Sequence, residues 1–139
     1  MPSDNLELLK VNRPININAQ GEEIELKARR YGIYVLGGWG VNLGEFSISF
    51  RHIGSNEIVT CKRAFWPVQA YAFGKRAKRI FVADIPDEGK YEVLFNKPET
   101  IKVKRSNLPI FSLFINPLTT DRIEIAITEN LGVFPIMKW

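Results

Sequence analysis

Apolar and polar residues alternate along much of this chain, and the period of the alternation is two rather than 3.6. In Glu45–Arg51, the apolar residues Phe46, Ile48 and Phe50 are separated by polar ones. Such alternation is typical of a strand with one face on a core and the other in water. The same pattern predicts half-buried strands at Glu22–Lys27, Lys90–Asn96, Thr100–Arg105 and Asp121–Thr128. Their predicted inward residues are Ile24, Leu26, Tyr91, Val93, Phe95, Ile101, Val103, Ile123, Ile125 and Ile127.

Weaker strand signals and turn residues fill the rest of the chain. The run Arg79–Ala83 is apolar on both faces, which predicts a central strand. Glycine, proline and asparagine punctuate the segments every 8–12 residues or so, as in sandwiches and barrels. We therefore expect one all-β domain over residues 1–139, an antiparallel β-sandwich of roughly 8–10 strands, immunoglobulin-like or jelly-roll, with residues 1–12 loosely ordered. The weaker strands are Tyr31–Leu36, Glu57–Arg63, Phe65–Phe73 and Leu108–Ile115.

One stretch carries a more specific structural signal. In Asp84–Phe95 (DIPDEGKYEVLF), a strand ends, Pro86 to Gly89 form a turn and Tyr91 opens the next strand. This resembles the tyrosine corner of immunoglobulin-like and fibronectin type III sandwiches, in which the phenol bonds back to the backbone. A proline–glycine turn before a tyrosine-led strand is also similar to jelly-roll carbohydrate-binding modules. The resemblance implies a sandwich and no particular function.

Charge is distributed unevenly along the chain. The net charge is +4, and residues 61–105 carry eleven Lys and Arg against five Asp and Glu. The segments 1–60 and 106–139 each have a net charge of −1. A local excess of this kind favours acidic partners, although it says nothing about the fold.

Cysteine usage and hydropathy bear on the compartment. The single cysteine, Cys61, excludes an internal disulfide, and a buried, inert thiol is the simplest interpretation. The N-terminal residues lack the features of a secretory signal, and no window approaches the 20 or so apolar residues of a membrane span. We expect a cytoplasmic protein, or a secreted one whose leader has been removed.

The most distinctive local feature is a basic cluster, which we define as Lys75, Arg76, Lys78 and Arg79 and which lies at a predicted loop-to-strand junction. Cations mixed with aromatic rings are what single-stranded nucleic acid binding requires. Cations that protect a sheet edge from aggregation are the alternative interpretation. Further candidate residues are Lys62, Arg63, Trp66 and Tyr71 upstream, and the pair Arg29 and Arg30.

The glycine-rich segment Gly37–Gly40 (GGWG) raises a second question. It lacks the spacing of a phosphate-binding loop, so we expect a bend of about eight residues between two strands. Trp39 then either caps the end of the core or projects into a binding site. Because sugar rings stack on aromatic faces, the second alternative favours a glycan ligand. The aromatic candidates are Trp39, Trp66, Tyr34 and Tyr71.

The chain offers little for catalysis or metal binding. His52 is the only histidine, and it lies in a predicted turn with no G-x-S-x-G motif elsewhere. One histidine and one cysteine are too few for a zinc site. Asp84, Asp87 and Glu88 are the nearest approach to a calcium site, and a solvated turn accounts for them. We predict no catalytic residue, no metal and no cofactor.

The C-terminal segment Leu131–Trp139 is unusually apolar for a tail, so we expect it to dock on its own sheet or on a second subunit. The predicted function is a non-enzymatic module that binds a protein or glycan partner and that self-associates if the tail docks on another copy. The alternative is a binder of polyanions or single-stranded nucleic acid through the basic cluster, and a hydrolase ranks third. The tail residues of a homo-oligomeric contact would be Val133, Phe134, Ile136, Met137 and Trp139.

Overall fold

The structure is a computed structural model, and it describes residues 14–64, 68–72, 75–104 and 122–129, with the backbone alone for 70–72 and 104. The expected N-terminal segment 1–12, the predicted strand Leu108–Ile115 and the tail Leu131–Trp139 lie outside the described residues. Within the described ranges, no helix is long and apolar enough to cross a membrane.

The described residues form twelve strands and one turn of 3₁₀ helix at Pro98–Thr100. The number exceeds the predicted 8–10 because several strands have only two or three residues. The strands are β1 (Ile15–Asn16), β2 (Glu23–Leu26), β3 (Arg30–Leu36), β4 (Gly40–Asn42), β5 (Ser47–His52), β6 (Ile58–Thr60), β7 (Lys62–Arg63), β8 (Gln69–Ala72), β9 (Lys75–Asp84), β10 (Gly89–Asn96), β11 (Lys102–Lys104) and β12 (Glu124–Glu129).

The strands make two larger sheets and one small one, and the pairs between them are antiparallel. The first sheet has the order β1-β12-β3-β9-β7, and β8 also pairs with β9. The second has the order β2-β10-β5-β6, while β4 and β11 form a two-stranded sheet. The predicted all-β sandwich is confirmed, and β9 is central as its apolar run indicated. Whether the sandwich is immunoglobulin-like or jelly-roll stays a prediction.

The core lies between the two larger sheets. The inward residues predicted from the alternation are buried, with the exception of Phe95, which is partly buried and stacks on Phe46 with ring centroids 6.2 Å apart. The first sheet also buries apolar residues on its opposite face, because Tyr34 and Leu36 of β3 point away from Ile33 and Val35. This second cluster is made of Tyr34, Leu36, Ala77 and Ala126, with Val68 packed against it.

The predicted strand Glu57–Arg63 is divided between the two larger sheets. Its first part, β6, pairs with β5 in the second sheet, and its last part, β7, pairs with β9 in the first. Cys61 lies between them, 6% exposed, and its N–H donates to the carbonyl oxygen of Ile48 at 3.0 Å. The alternation of apolar residues could not show this division, because Val59 of β6 and Cys61 continue one period-two pattern toward the core.

In two connections between the larger sheets, β9–β10 and β2–β3, a tyrosine hydroxyl forms a hydrogen bond with the backbone. The Tyr91 hydroxyl, at the start of β10, donates to the carbonyl oxygen of Asp87, which is the backbone bond expected from the tyrosine-corner pattern. Between β2 and β3, the Tyr31 hydroxyl accepts the N–H of Lys27 at 2.9 Å. Burial raises the pKa of both phenols, because it disfavours the charged phenolate.

The first prediction concerns the isoleucine face of β12. Ile125→Ala should lower the free energy of unfolding by about 2–5 kcal/mol, because Ile125 is 0% exposed between β1 and β3 and its truncation leaves a cavity. Ile58→Ala is the matched control: Ile58 is 58% exposed on β6, and its truncation should change stability by no more than about 0.5 kcal/mol. Urea unfolding measures both values, and equal losses would contradict the assigned inner face of β12.

The second prediction concerns Cys61. Burial raises the pKa of its thiol to about 12, so at pH 8 only about one molecule in ten thousand carries the reactive thiolate. An aromatic disulfide reagent should therefore leave the native protein unlabelled over minutes and label one thiol per chain at once in 6 M guanidinium. Rapid labelling of the native protein at pH 8 would show that Cys61 is exposed, and it would contradict the burial of Cys61 between β6 and β7.

Candidate functional site

The basic cluster lies within β9, and a β-bulge in this strand decides where each cation points. Ile33 pairs with Phe81, but the next residue of β3, Tyr34, pairs with Arg79, which leaves Ile80 as an extra residue on β9. Ile80 and Phe81 are consecutive and both buried in the main core. The bulge interrupts the alternation of β9 and turns Arg79 to the opposite face of the sheet, beside Tyr34.

The register divides the basic cluster between two faces. Lys75 and Arg79 share the face of Tyr34, and the Lys75 ammonium lies 3.1 Å from Oε1 of Glu124. The Arg79 side chain packs along Gly32, where an added Cβ would lie 3.3 Å from its Cδ. Burial raises the pKa of Tyr34, and the hydrogen bond and charge of Arg79 oppose this shift. The cations on this face thus have partners within the fold.

Arg76 and Lys78 point to the other side of the sheet, where they hold Trp39. The Arg76 guanidinium carbon lies 4.4 Å from the centre of the Trp39 ring, within the range of a cation–π contact. The Lys78 ammonium donates to the carbonyl oxygen of Trp39 at 3.2 Å. The bend that the sequence predicted contains the short strand β4. Val41 of β4 and Leu43, which follows it, pack against the core. Trp39 is partly exposed and lies against the cations.

A cleft opens between this segment and β9, with a volume of about 300 Å³. Its apolar lining comes from the β4 segment and from the bulge in β9, and its cations come from β7 and β9. On the β7 side, the Arg63 Nη2 donates to the carbonyl oxygen of Gly44 at 2.9 Å. We call this the basic cleft, and its lining residues are Val41, Leu43, Arg63, Ala64, Lys78, Arg79 and Ile80.

The contacts of Arg63 and Lys78 differ from those of described cations that pair with carboxylates, such as Arg30 and Lys75. Arg63 and Lys78 each bond a neutral backbone carbonyl, and within the described ranges neither forms an ion pair with a carboxylate. No acidic residue lines the basic cleft among the described residues. A carbonyl oxygen satisfies one donor but does not neutralise a positive charge, so the field of both cations extends into the cleft.

The predicted binding pair Arg29 and Arg30 lies elsewhere and is neutralised. Arg29 Nη1 is 2.6 Å from Oε2 of Glu129, and Arg30 Nε is 2.7 Å from Oδ1 of Asp84. The Arg30 guanidinium holds the pKa of Asp84 below its usual value. Because Arg30 pairs with Asp84 at the far end of β9 from Lys75, the structure does not bring this pair together with the basic cluster.

The two other aromatic candidates are described incompletely. Trp66 lies outside the described residues, and Tyr71 pairs with Arg76 in the register of β8 and β9, with its side chain not described. Val41 and Leu43 were missed as site residues. The position of Val41 and Leu43 at the cleft depends on the pairing of β4 with β11, which lies about sixty residues further along the chain. No local sequence pattern indicates that pairing.

The position of β9 also bears on the sheet-edge interpretation of the basic cluster. β9 pairs with β3 on one side and with β7 and β8 on the other. It is therefore an inner strand, and its cations do not protect an open edge.

His52 is the last residue of β5, not a turn residue as predicted, and its ring bonds the turn that follows. Its Nδ1 accepts the N–H groups of Gly54 and Ser55, each at 3.1 Å, so the ring proton is on Nε2. The ring meets Tyr91 edge-on with centroids 4.9 Å apart, and Nε2 lies 3.5 Å from the carbonyl oxygen of Glu88. The imidazole is thus partly buried between two turns, and its nitrogens are occupied by the backbone.

Metal ligands and relatives give no further indication of a site. In the described part of the chain, no group of three or more His, Cys, Asp or Glu residues could hold a metal ion. The acidic turn that includes Asp84 uses that carboxylate in its ion pair with Arg30. Comparisons with models of protein families, with curated proteins and with solved structures find no match for this chain.

Proposed function

We propose that the protein is a binding module whose ligand is anionic and occupies the basic cleft. The observation that carries the proposal is the pair Arg63 and Lys78, two cations with carbonyl partners that face one apolar cleft. A concave site with an apolar lining and a few convergent polar groups is the usual form of a ligand site. Binding, not catalysis, is the activity that this combination of residues supports.

The charges of the cleft favour an anion over a neutral sugar. A neutral glycan would need an aromatic face for stacking, and one face of Trp39 already lies under the Arg76 guanidinium. A glycan would also leave the charges of Arg63 and Lys78 uncompensated. An anionic ligand uses both cations directly, and its own charge is attracted to the cleft from a distance. Self-association through the C-terminal tail stays a separate prediction.

The experiment is a titration of three fluorescein-labelled polyanions: heparin, the oligonucleotide dT12 and polyglutamate. We expect at least one to bind by fluorescence anisotropy, with an affinity that falls about tenfold between 50 and 200 mM salt, as two or three released counterions require. The double substitution Arg63→Ala/Lys78→Ala should abolish most of this salt-dependent binding, because it removes the two cations that face the cleft with carbonyl partners.

The matched control is Lys27→Ala/Lys90→Ala, which removes the same net charge from exposed positions on and beside the second sheet. It should retain nearly the full affinity if the cleft, rather than the overall charge, is responsible. Circular dichroism would verify that both variants are folded. The proposal fails if none of the three polyanions binds, or if the two double variants weaken binding equally.

A further inference from the structure

We infer that the ligand of the basic cleft is a single-stranded nucleic acid, with one base in the cleft and its neighbouring phosphates on Arg63 and Lys78. This inference rests on the proposed function and narrows it to one class of polyanion. It is carried by the close combination of an apolar slot with two cations on different strands, β7 and β9.

The slot has the size and lining for one planar ring system. Its volume of about 300 Å³ lies at the lower end of the range for small-molecule sites. Val41, Leu43 and Ile80 come from two different elements and give it apolar walls. A base that leaves water for such a slot gains stabilisation from burial of its faces, in the way that bases gain from aromatic platforms.

The two cations have donors to spare for phosphate oxygens. Arg63 uses Nη2 for the Gly44 carbonyl, and its guanidinium carries five N–H donors in all. Lys78 donates to the Trp39 carbonyl and has three N–H donors on a flexible stem. Arg63 is exposed and Lys78 is partly exposed, so a phosphate can reach both groups without disturbing the carbonyl bonds.

Sulfated glycans, polyglutamate and nucleic acids differ in the apolar groups that lie next to each negative charge. Sulfated glycans carry dense charge but no large apolar face, and polyglutamate carries only short methylene stems. A nucleic acid strand has an apolar ring beside every phosphate, so it alone fills the slot and meets both cations with one repeating unit.

The experiment compares dT12 with an abasic 12-mer that has the same phosphates and no bases. We expect dT12 to bind at least about tenfold more tightly, because only dT12 offers a ring to the slot. Arg63→Ala/Lys78→Ala should weaken both oligonucleotides. Val41→Thr, which keeps the shape of the side chain and adds a hydroxyl to the wall of the slot, should weaken dT12 several-fold and leave the abasic strand unchanged.

Val59→Thr is the matched control, since Val59 is also a partly buried strand valine but lies on β6 of the second sheet. It should leave the affinity for dT12 unchanged. Equal affinities of dT12 and the abasic strand would overturn the inference and leave the proposed function standing, as would binding of heparin or polyglutamate alone. If no polyanion bound, both proposals would fall together.

Discussion

The structure around the cleft depends on one irregularity, the bulge at Ile80 in β9. A strand with neighbours on both sides must place its residues alternately on two faces, and β9 has core residues toward one end and cations toward the other. Without the extra residue, the alternation that buries Phe81 and Ala83 would carry Arg79 and Ala77 to the core side. The bulge buries two consecutive apolar residues and turns Arg79 to the opposite face, and it places Lys78 beside Val35 on the core side, where its ammonium reaches the Trp39 carbonyl.

The same change of register places Lys78 at the basic cleft. Lys78 projects toward the β4 segment, and Arg63 reaches the same cleft from β7. Both keep a backbone carbonyl as their partner, whereas Arg30 and Lys75 are paired with carboxylates. Surface ion pairs contribute little to stability, so this distinction matters less for folding than for the electric field of the cleft. Two cations without a carboxylate partner among the described residues thus meet at one concave site.

The sequence was informative wherever structure depends on near neighbours. The alternation in Glu45–Arg51 and its counterparts predicted which residues are buried, because burial of one strand face is a local property of the pattern. The resemblance to a tyrosine corner implied that the Tyr91 hydroxyl bonds to the backbone, and it does so at Asp87. The bond in which the Tyr31 hydroxyl accepts the Lys27 N–H was missed, since no proline–glycine turn precedes Tyr31.

The site itself was predicted only in part, and the reasons are physical. Trp39, Arg76 and Lys78 were candidates, and they do lie together. Their arrangement depends on the bulge and on the pairing of β4 with β11, and both arise from contacts between distant segments. The most direct test of this account is the cross-strand pattern of backbone nuclear Overhauser contacts between β3 and β9. We expect Tyr34 to contact Arg79 and Ile33 to contact Phe81, with Ile80 unpaired; contacts of Tyr34 with Ile80 in an uninterrupted register would contradict it.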